Sequence, residues 1–258
     1  MDQDFAGKIA LVTGSSGIGL GAALRLARGG ARVFVCGNDK THNKKAAEAA
    51  EGLSVSVALV DVSEENSVRN WIMPIGEAES RIDVLVNAAA IQTYGDISST
   101  DSAHWDKVMA INLRSCFLTS HHAYSFMRTG GGSIVHVSSV QGHSNQNNVL
   151  AYATTKGAIH AMTRAMAVDC AKDKVRVNSI SPGSVRTPLL EFAAQEVVGA
   201  GNDIEPAIAQ FGAAHPIGRV GTVDETSELI AFLCNEKSGF CTGGDYLADG
   251  GLLAHLGV

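Results

Sequence analysis

The chain has 258 residues, 45% of them hydrophobic and 18% charged, with a formal net charge of −6. That length suits one domain with its own core. The acid excess argues against a nucleic-acid or anionic-membrane partner, since both need a basic face. Residues 1–7 lack the charged-then-apolar layout of a secretory leader. No apolar run reaches the roughly 18 residues that a bilayer span needs. The five cysteines include no CxxC pair and sit mostly in apolar stretches, so they read as buried free thiols, and a reducing cytoplasm is expected. The nine histidines stand at no spacing that sets two ligands on one face, so no metal site is expected.

Residues 8–13 (KIALVT) read as a buried strand, and 18–29 as a helix stopped by Gly29-Gly30. Residues 32–36 (RVFVC) form the second strand, 40–51 a helix and 54–60 (SVSVALV) the third strand. Then come a helix over 64–78, a strand over 83–87 (DVLVN), a long helix over 103–127 and a strand over 133–138 (SIVHVS). A second long helix spans 150–171, followed by a strand over 175–181, a helix over 225–234 and a short last strand over 246–248. The strands are apolar throughout rather than alternating, which marks strands covered on both faces. Strands alternating with helices predict an α/β fold: a doubly wound parallel sheet of about seven strands, helices on both faces, one domain over 1–258. In such sheets ligands bind beyond the carboxyl ends of the strands.

Two motifs stand at those ends. The first strand runs into Thr13-Gly14-Ser15-Ser16-Gly17-Ile18-Gly19 and then a helix. A glycine turn at a helix start lets backbone N–H groups face a pyrophosphate. Asp39 falls 20 residues beyond Gly19, beside Asn38, where an acid would bond a ribose 2′-hydroxyl. No arginine stands there for a 2′-phosphate, although Lys40, Lys44 and Lys45 follow; NAD is favoured over NADP. Asp61, after the third strand, is a candidate for the adenine end. The second motif is Tyr152-Ala153-Thr154-Thr155-Lys156. Positions i and i+4 share a helix face, so a phenol and an ammonium can meet at one site. Reduction of a ketone needs a proton donor near the carbonyl oxygen, and a nearby ammonium makes a phenol more acidic.

With Asn112 in the long helix and Ser138-Ser139 ending the fifth strand, these residues resemble the short-chain dehydrogenase/reductase family, in its short single-domain branch. The resemblance runs from the glycine turn through Asp61, Asn87, Ala110-Ile111-Asn112-Leu113, Tyr152 and Lys156, Pro182-Gly183 and Asp249-Gly250-Gly251. It implies a Rossmann fold and an NAD(P)-dependent interconversion of a secondary alcohol and a ketone. It implies a catalytic tetrad: Tyr152 as proton donor or acceptor, Lys156 tuning it and holding the nicotinamide ribose, Ser139 (with Ser138 as alternative) orienting the substrate oxygen, and Asn112 holding a water. It also implies a cofactor wall of Gly14, Ser16, Gly17, Ile18, Gly19, Asn38, Asp39, Asp61, Val62, Asn87, Ala88, Ala89, Pro182, Gly183, Val185 and Thr187. Substrate would meet Gln92, Ser139, Gln141, Asn145, Gln146 and Tyr152. Side-chain amides suit a polyhydroxylated substrate such as a sugar, sugar acid or polyol.

Residues 189–215 form a long excursion with a glycine break at Gly199–Asn202 and are expected to act as a substrate lid. Relatives are commonly homotetramers, and the apolar tail 252–258 suits a subunit contact. The chain departs from the family in two places. The usual TGxxxGxG turn is one residue short between Gly14 and Gly17, and the usual NNAG is Asn87-Ala88-Ala89-Ala90. The first departure supports an alternative of another kind, a non-catalytic nucleotide-binding sensor or scaffold.

Overall fold

The computed structural model describes residues 3–256. Met1–Asp2 and Gly257–Val258, the last two residues of the apolar tail, lie outside the described residues. Seven strands pair in parallel in the order β3-β2-β1-β4-β5-β6-β7: β1 (Ile9–Thr13), β2 (Arg32–Gly37), β3 (Val55–Leu59), β4 (Val84–Asn87), β5 (Gly132–Val137), β6 (Val175–Pro182) and β7 (Asp245–Ala248). Helices α1 (Gly17–Arg28), α2 (Lys40–Ala49), α3 (Glu65–Glu79), α4 (Ser102–Met109), α5 (Ser115–Met127), α6 (Leu150–Cys170), α7 (Pro188–Val198), α8 (Glu205–Ala213) and α9 (Val223–Cys234) complete the chain.

The unbroken apolar strands follow from burial on both faces. Ala10 and Val12 of β1 point into a core shared with Ala22, Ala23 and Leu26 of α1 and Ile230 and Leu233 of α9. Leu11 points the other way, to Ile72 of α3, Leu118 of α5 and Ala167 of α6. Each buried aliphatic side chain contributes about 1.5–3 kcal/mol, so neither face tolerates a polar residue without a partner. The order of connection reverses at β1, whose last residue Thr13 pairs with Cys36 on one side and Asn87 on the other. A crevice therefore opens over the carboxyl ends of β1 and β4.

Two regions differ from the sequence expectation. The single helix expected over 103–127 is interrupted by a π-helical turn, Ala110–Arg114, between α4 and α5. The extra residue in that turn brings Asn112 against the loop after β4, where its amide bonds both Ile91 N and Ile91 O at 2.9 Å. Side-chain bonding to a neighbouring loop is what holds the turn open; helical periodicity carries no trace of it. Residues 189–215 resolve into α7 and α8, each with proline in its first turn, where a missing N–H costs nothing. They part at Gly199 (φ 85°) and Gly201 (φ 81°), left-handed positions that favour glycine.

Gly19 shows how tightly the first turn is built. A Cβ there would lie 2.3 Å from Gly14 O, too close without moving backbone. Gly19→Ala is expected to lower the unfolding free energy by at least about 2 kcal/mol, read from the midpoint of urea denaturation; an unshifted midpoint would show that the turn is loosely packed.

Candidate active site

Above the carboxyl ends of the strands lies a cavity of about 840 Å³, ample for a dinucleotide end and a small substrate. Its floor is the glycine turn. Gly14 (φ 97°) passes so close to the β4 loop that a Cβ would sit 3.3 Å from Ala89 N, and one on Gly17 (φ 52°) would meet Thr187 at 3.2 Å. α1 starts at Gly17 with Ser16 giving it no side-chain cap, whereas Asp39, Asp101, Thr187 and Thr222 cap α2, α4, α7 and α9. Backbone donors at the start of a 12-residue helix thus face the cavity, the arrangement that holds a pyrophosphate. The backbone cradle fits a dinucleotide despite the missing residue. The second family departure is bridged as well: the Thr13 hydroxyl accepts from Ala88 N and Ala89 N, both at 3.1 Å, and ties the β4 loop to β1.

Ser16, Ile18, Asn38, Asp39, Asp61, Val62, Ala88 and Ala89 line the cavity, as do Pro182, Gly183, Val185 and Thr187. Asp39 caps α2 by accepting from His42 N at 2.7 Å, and that bond holds its carboxyl below the ordinary carboxylate range. Asp61 also accepts from Ser63 N at 2.9 Å, so it shapes its own loop. Thr187 is already engaged as the cap of α7, accepting from Leu190 N at 3.2 Å.

The tyrosine and lysine lie on the buried face of α6, at 5% and 2% exposure. Lys156 Nζ stands 5.3 Å from the centre of the Tyr152 ring and donates to Val137 O at 2.9 Å. Burial pushes the phenol up to about 12, with the Ser139 hydroxyl pulling the other way. Burial pushes the lysine down to about 8. Without a cofactor, desolvation dominates the phenol, and the ammonium donates to a backbone carbonyl. Of the paired serines, Ser138 is committed to structure, donating to Lys156 O at 2.8 Å. Ser139 accepts only from Gln141 N at 3.1 Å and lines the cavity.

Gly19, Asn87 and Asn145 fall away from the cavity, and Asn112, expected to hold a water, stands just outside it. Gly19 lies behind the turn as a packing residue. Asn87 turns into the interior, where Thr119 Oγ1 donates to it at 2.7 Å and His136 Nδ1 stands at 3.1 Å. Asn112 does not line the cavity; it pins Ile91 and approaches Thr155 Oγ1 at 3.4 Å. Asn145 is exposed and off the cavity, because the left-handed Asn148 (φ 61°) turns the chain so that Gln146 and Asn148 line it instead. Gln92 and Gln141 do line it, and Gln92 Nε2 donates to Tyr94 OH at 2.9 Å.

Phe192, Glu196 and Phe211 close the far side. Only the amphipathic pattern of α7 hints at these side chains in the sequence. His215 was also missed. It is buried and bonds Ser184 N through Nε2 at 3.0 Å and Phe211 O through Nδ1 at 2.8 Å, joining the end of α8 to the Pro182-Gly183 wall.

A family model described as Enoyl-(Acyl carrier protein) reductase matches residues 12–253. An uncharacterised oxidoreductase of Bacillus subtilis (strain 168) is 35% identical, covering 96% of this chain and 92% of its own. The chain belongs to the short-chain dehydrogenase/reductase family. It is similar to a bovine (Bos taurus) L-fucose dehydrogenase, 32% identical over 100% of this chain and 93% of that one. Its fold matches the ligand-free aldohexose dehydrogenase of Thermoplasma acidophilum with a TM-score of 0.92 and 31% identity, covering 100% of this chain and 98% of that one. As a member of the family it is an NAD(P)-dependent oxidoreductase that acts on CH–OH groups of a small molecule. No helix among the described residues is long and apolar enough to cross a membrane.

The dehydrogenase site carries a stability penalty that can be measured. Unfolded, Lys156 keeps its proton up to its ordinary value of 10.5; folded, it sheds it near 8. Between those values the unfolded chain binds the extra proton, so this residue makes stability rise with pH. Lys156→Met is expected to stabilise the fold at pH 7 by about 2 kcal/mol: about 3 for relief of the buried charge, less about 1 for the orphaned Val137 carbonyl. The gain should shrink as pH climbs from 8 to 10.5, followed by denaturant unfolding; a variant weaker than the parent at pH 7 would contradict this.

Proposed function

We propose that this enzyme interconverts a secondary alcohol and a ketone on a polyhydroxylated small molecule, a sugar, sugar acid or polyol, with NAD as cofactor. One observation carries the reading. The Ser139 hydroxyl, the Tyr152 phenol and the Lys156 ammonium share a wall of the cavity whose floor is the uncapped start of α1. A substrate oxygen held by Ser139 meets Tyr152, which gives it a proton in reduction and takes one in oxidation. Lys156 keeps positive charge beside the phenol, and Asn112 fixes the loop over Ile91 that borders the site. When bound, the nicotinamide accepts or supplies the hydride and, in its oxidised form, adds a positive charge to the same wall.

The substrate class is supported by the amides of Gln92, Gln141, Gln146 and Asn148 around the opening. Gln141 Oε1 is buried with no hydrogen-bond partner, an acceptor suited to a hydroxyl. Two of the similar proteins are named for fucose and aldohexose oxidation. NAD is supported by charge: among the described residues Lys156 is the only lysine or arginine lining the cavity. A 2′-phosphate would meet Asp39 with no cation to hold it. We read α7 and α8 as the substrate lid of a single domain, clasped where Arg186 pairs with Glu205 at 2.8 Å and Glu191 at 3.1 Å. Exposed Phe117, Phe232, Phe240 and Leu247 support a homotetramer. Five free thiols support the cytoplasm.

Initial rates over a panel of sugars, sugar acids, polyols and cyclic alcohols, with each cofactor, test the reading. Turnover with NAD on a polyhydroxylated member is expected, and Tyr152→Phe should cut kcat by about 10²–10⁴-fold without lowering the melting temperature. Cofactor binding with no turnover on any member would favour the sensor instead. Asp39→Ala should narrow the preference for NAD over NADP by about tenfold or more; an unchanged ratio would remove Asp39 from cofactor choice.

A further inference from the structure

Three metal-ligating side chains, far apart in sequence, meet beneath the active site. His143 comes from the loop after Ser139. His160 stands on α6, one turn beyond Lys156. Asp245 opens β7, in register with Ser179 of β6. His143 Nε2 lies 2.7 Å from Asp245 Oδ2, and His160 Nε2 lies 3.4 Å from Asp245 Oδ1. The two rings stack with centroids 4.3 Å apart, and the three donor atoms all fall within 4.8 Å of one another. We propose that His143, His160 and Asp245 form a structural site for a divalent transition metal of the zinc type.

Donor chemistry and geometry both support this. Two imidazoles and one carboxylate are a common zinc set, with bonds of about 2.0–2.2 Å, which separates tetrahedral ligand atoms by about 3.4 Å. The His160–Asp245 pair already stands at 3.4 Å; His143 must turn out of its stack on His160 to open the other pair. Ser179 Oγ donates to Asp245 Oδ1 at 2.5 Å, a partner of the kind that orients a metal ligand, and a metal on His160 Nε2 would displace the Ser181 hydroxyl that lies 3.0 Å from that nitrogen. Charge points the same way. The Asp245 side chain is only 14% exposed, and among the described residues its ion-pair partners are the two imidazoles, with no lysine or arginine to balance it.

None of the three lines the active-site cavity, so the metal holds structure and does not polarise substrate. Its effect is on the loop. A Cβ on Gly142 would lie 2.5 Å from the His160 ring and 2.9 Å from Lys156 O, so the chain between Ser139 and His143 already rests on α6. A metal at His143 would clamp that loop to α6 and β7 and fix Ser139 and Gln141. This site does not depend on the substrate proposed above.

The test uses untagged full-length protein, stripped with chelator and titrated with Co²⁺ and with Zn²⁺. The expected result is one ion per chain, intense d–d absorption of four-coordinate cobalt, and slower amide exchange over residues 140–148. His143→Ala, on the surface and safe for folding, and Asp245→Asn, which keeps hydrogen-bonding atoms, should each weaken binding at least about tenfold. No uptake by the parent protein, or uptake unchanged in His143→Ala, would overturn the proposal.

Discussion

A phenol and an ammonium, stripped of water one helical turn apart, set the terms for the rest of the molecule. Among the described residues, the partners of the Tyr152 and Lys156 side chains are the Ser139 hydroxyl and the Val137 carbonyl, with no carboxylate among them. Alone, burial drives the phenol up and the ammonium down, which is the wrong direction for base catalysis near neutrality. In the proposed mechanism, a further positive charge on the same wall, with water excluded, would lower the phenol and so couple proton transfer to cofactor binding.

The fold supplies that wall. β5 delivers Val137, Ser138 and Ser139, and α6 lies across it because Ser138 bonds the Lys156 carbonyl. The β4 loop is held from two sides, by Thr13 below and by Asn112 beyond. Gly95 then ties the same loop to the start of α6, with Gly95 N donating to Asn148 O at 2.8 Å and Leu150 N to Gly95 O at 3.2 Å. The shortened glycine turn fits this frame because its work is done by backbone. Gly14 and Gly17 take left-handed angles, and the first turn of α1 still faces the cavity. Losing one residue reshapes the loop without removing the donors.

Most of the sheet was legible in the sequence. Runs such as KIALVT and SIVHVS can only be strands buried on both sides, and glycine and proline mark their ends. The tyrosine–lysine spacing and the cofactor-facing strand ends were legible for the same reason, since local period fixes which side chains share a face. What escaped were features set by contacts between distant segments. The π turn exists because Asn112 bonds Ile91 across the fold. The inward turn of Asn87 depends on Thr119 and His136, and the outward turn of Asn145 on the left-handed angle at Asn148. His143, His160 and Asp245 lie on three separate elements, so no spacing rule could join them. The i, i+4 relation of Tyr152 and Lys156 brings the groups near but carries no information on where the ammonium points or how dry the site is.

The most direct test is a titration of Tyr152 itself, by NMR of protein carrying ¹³C-labelled tyrosine, in the free enzyme and with NAD⁺ bound. The account predicts a phenol near 12 when free and a clearly lower one with NAD⁺ bound, because the cofactor adds positive charge beside it. A phenol that titrates at the same pH in both states, while the enzyme still turns over, would contradict it.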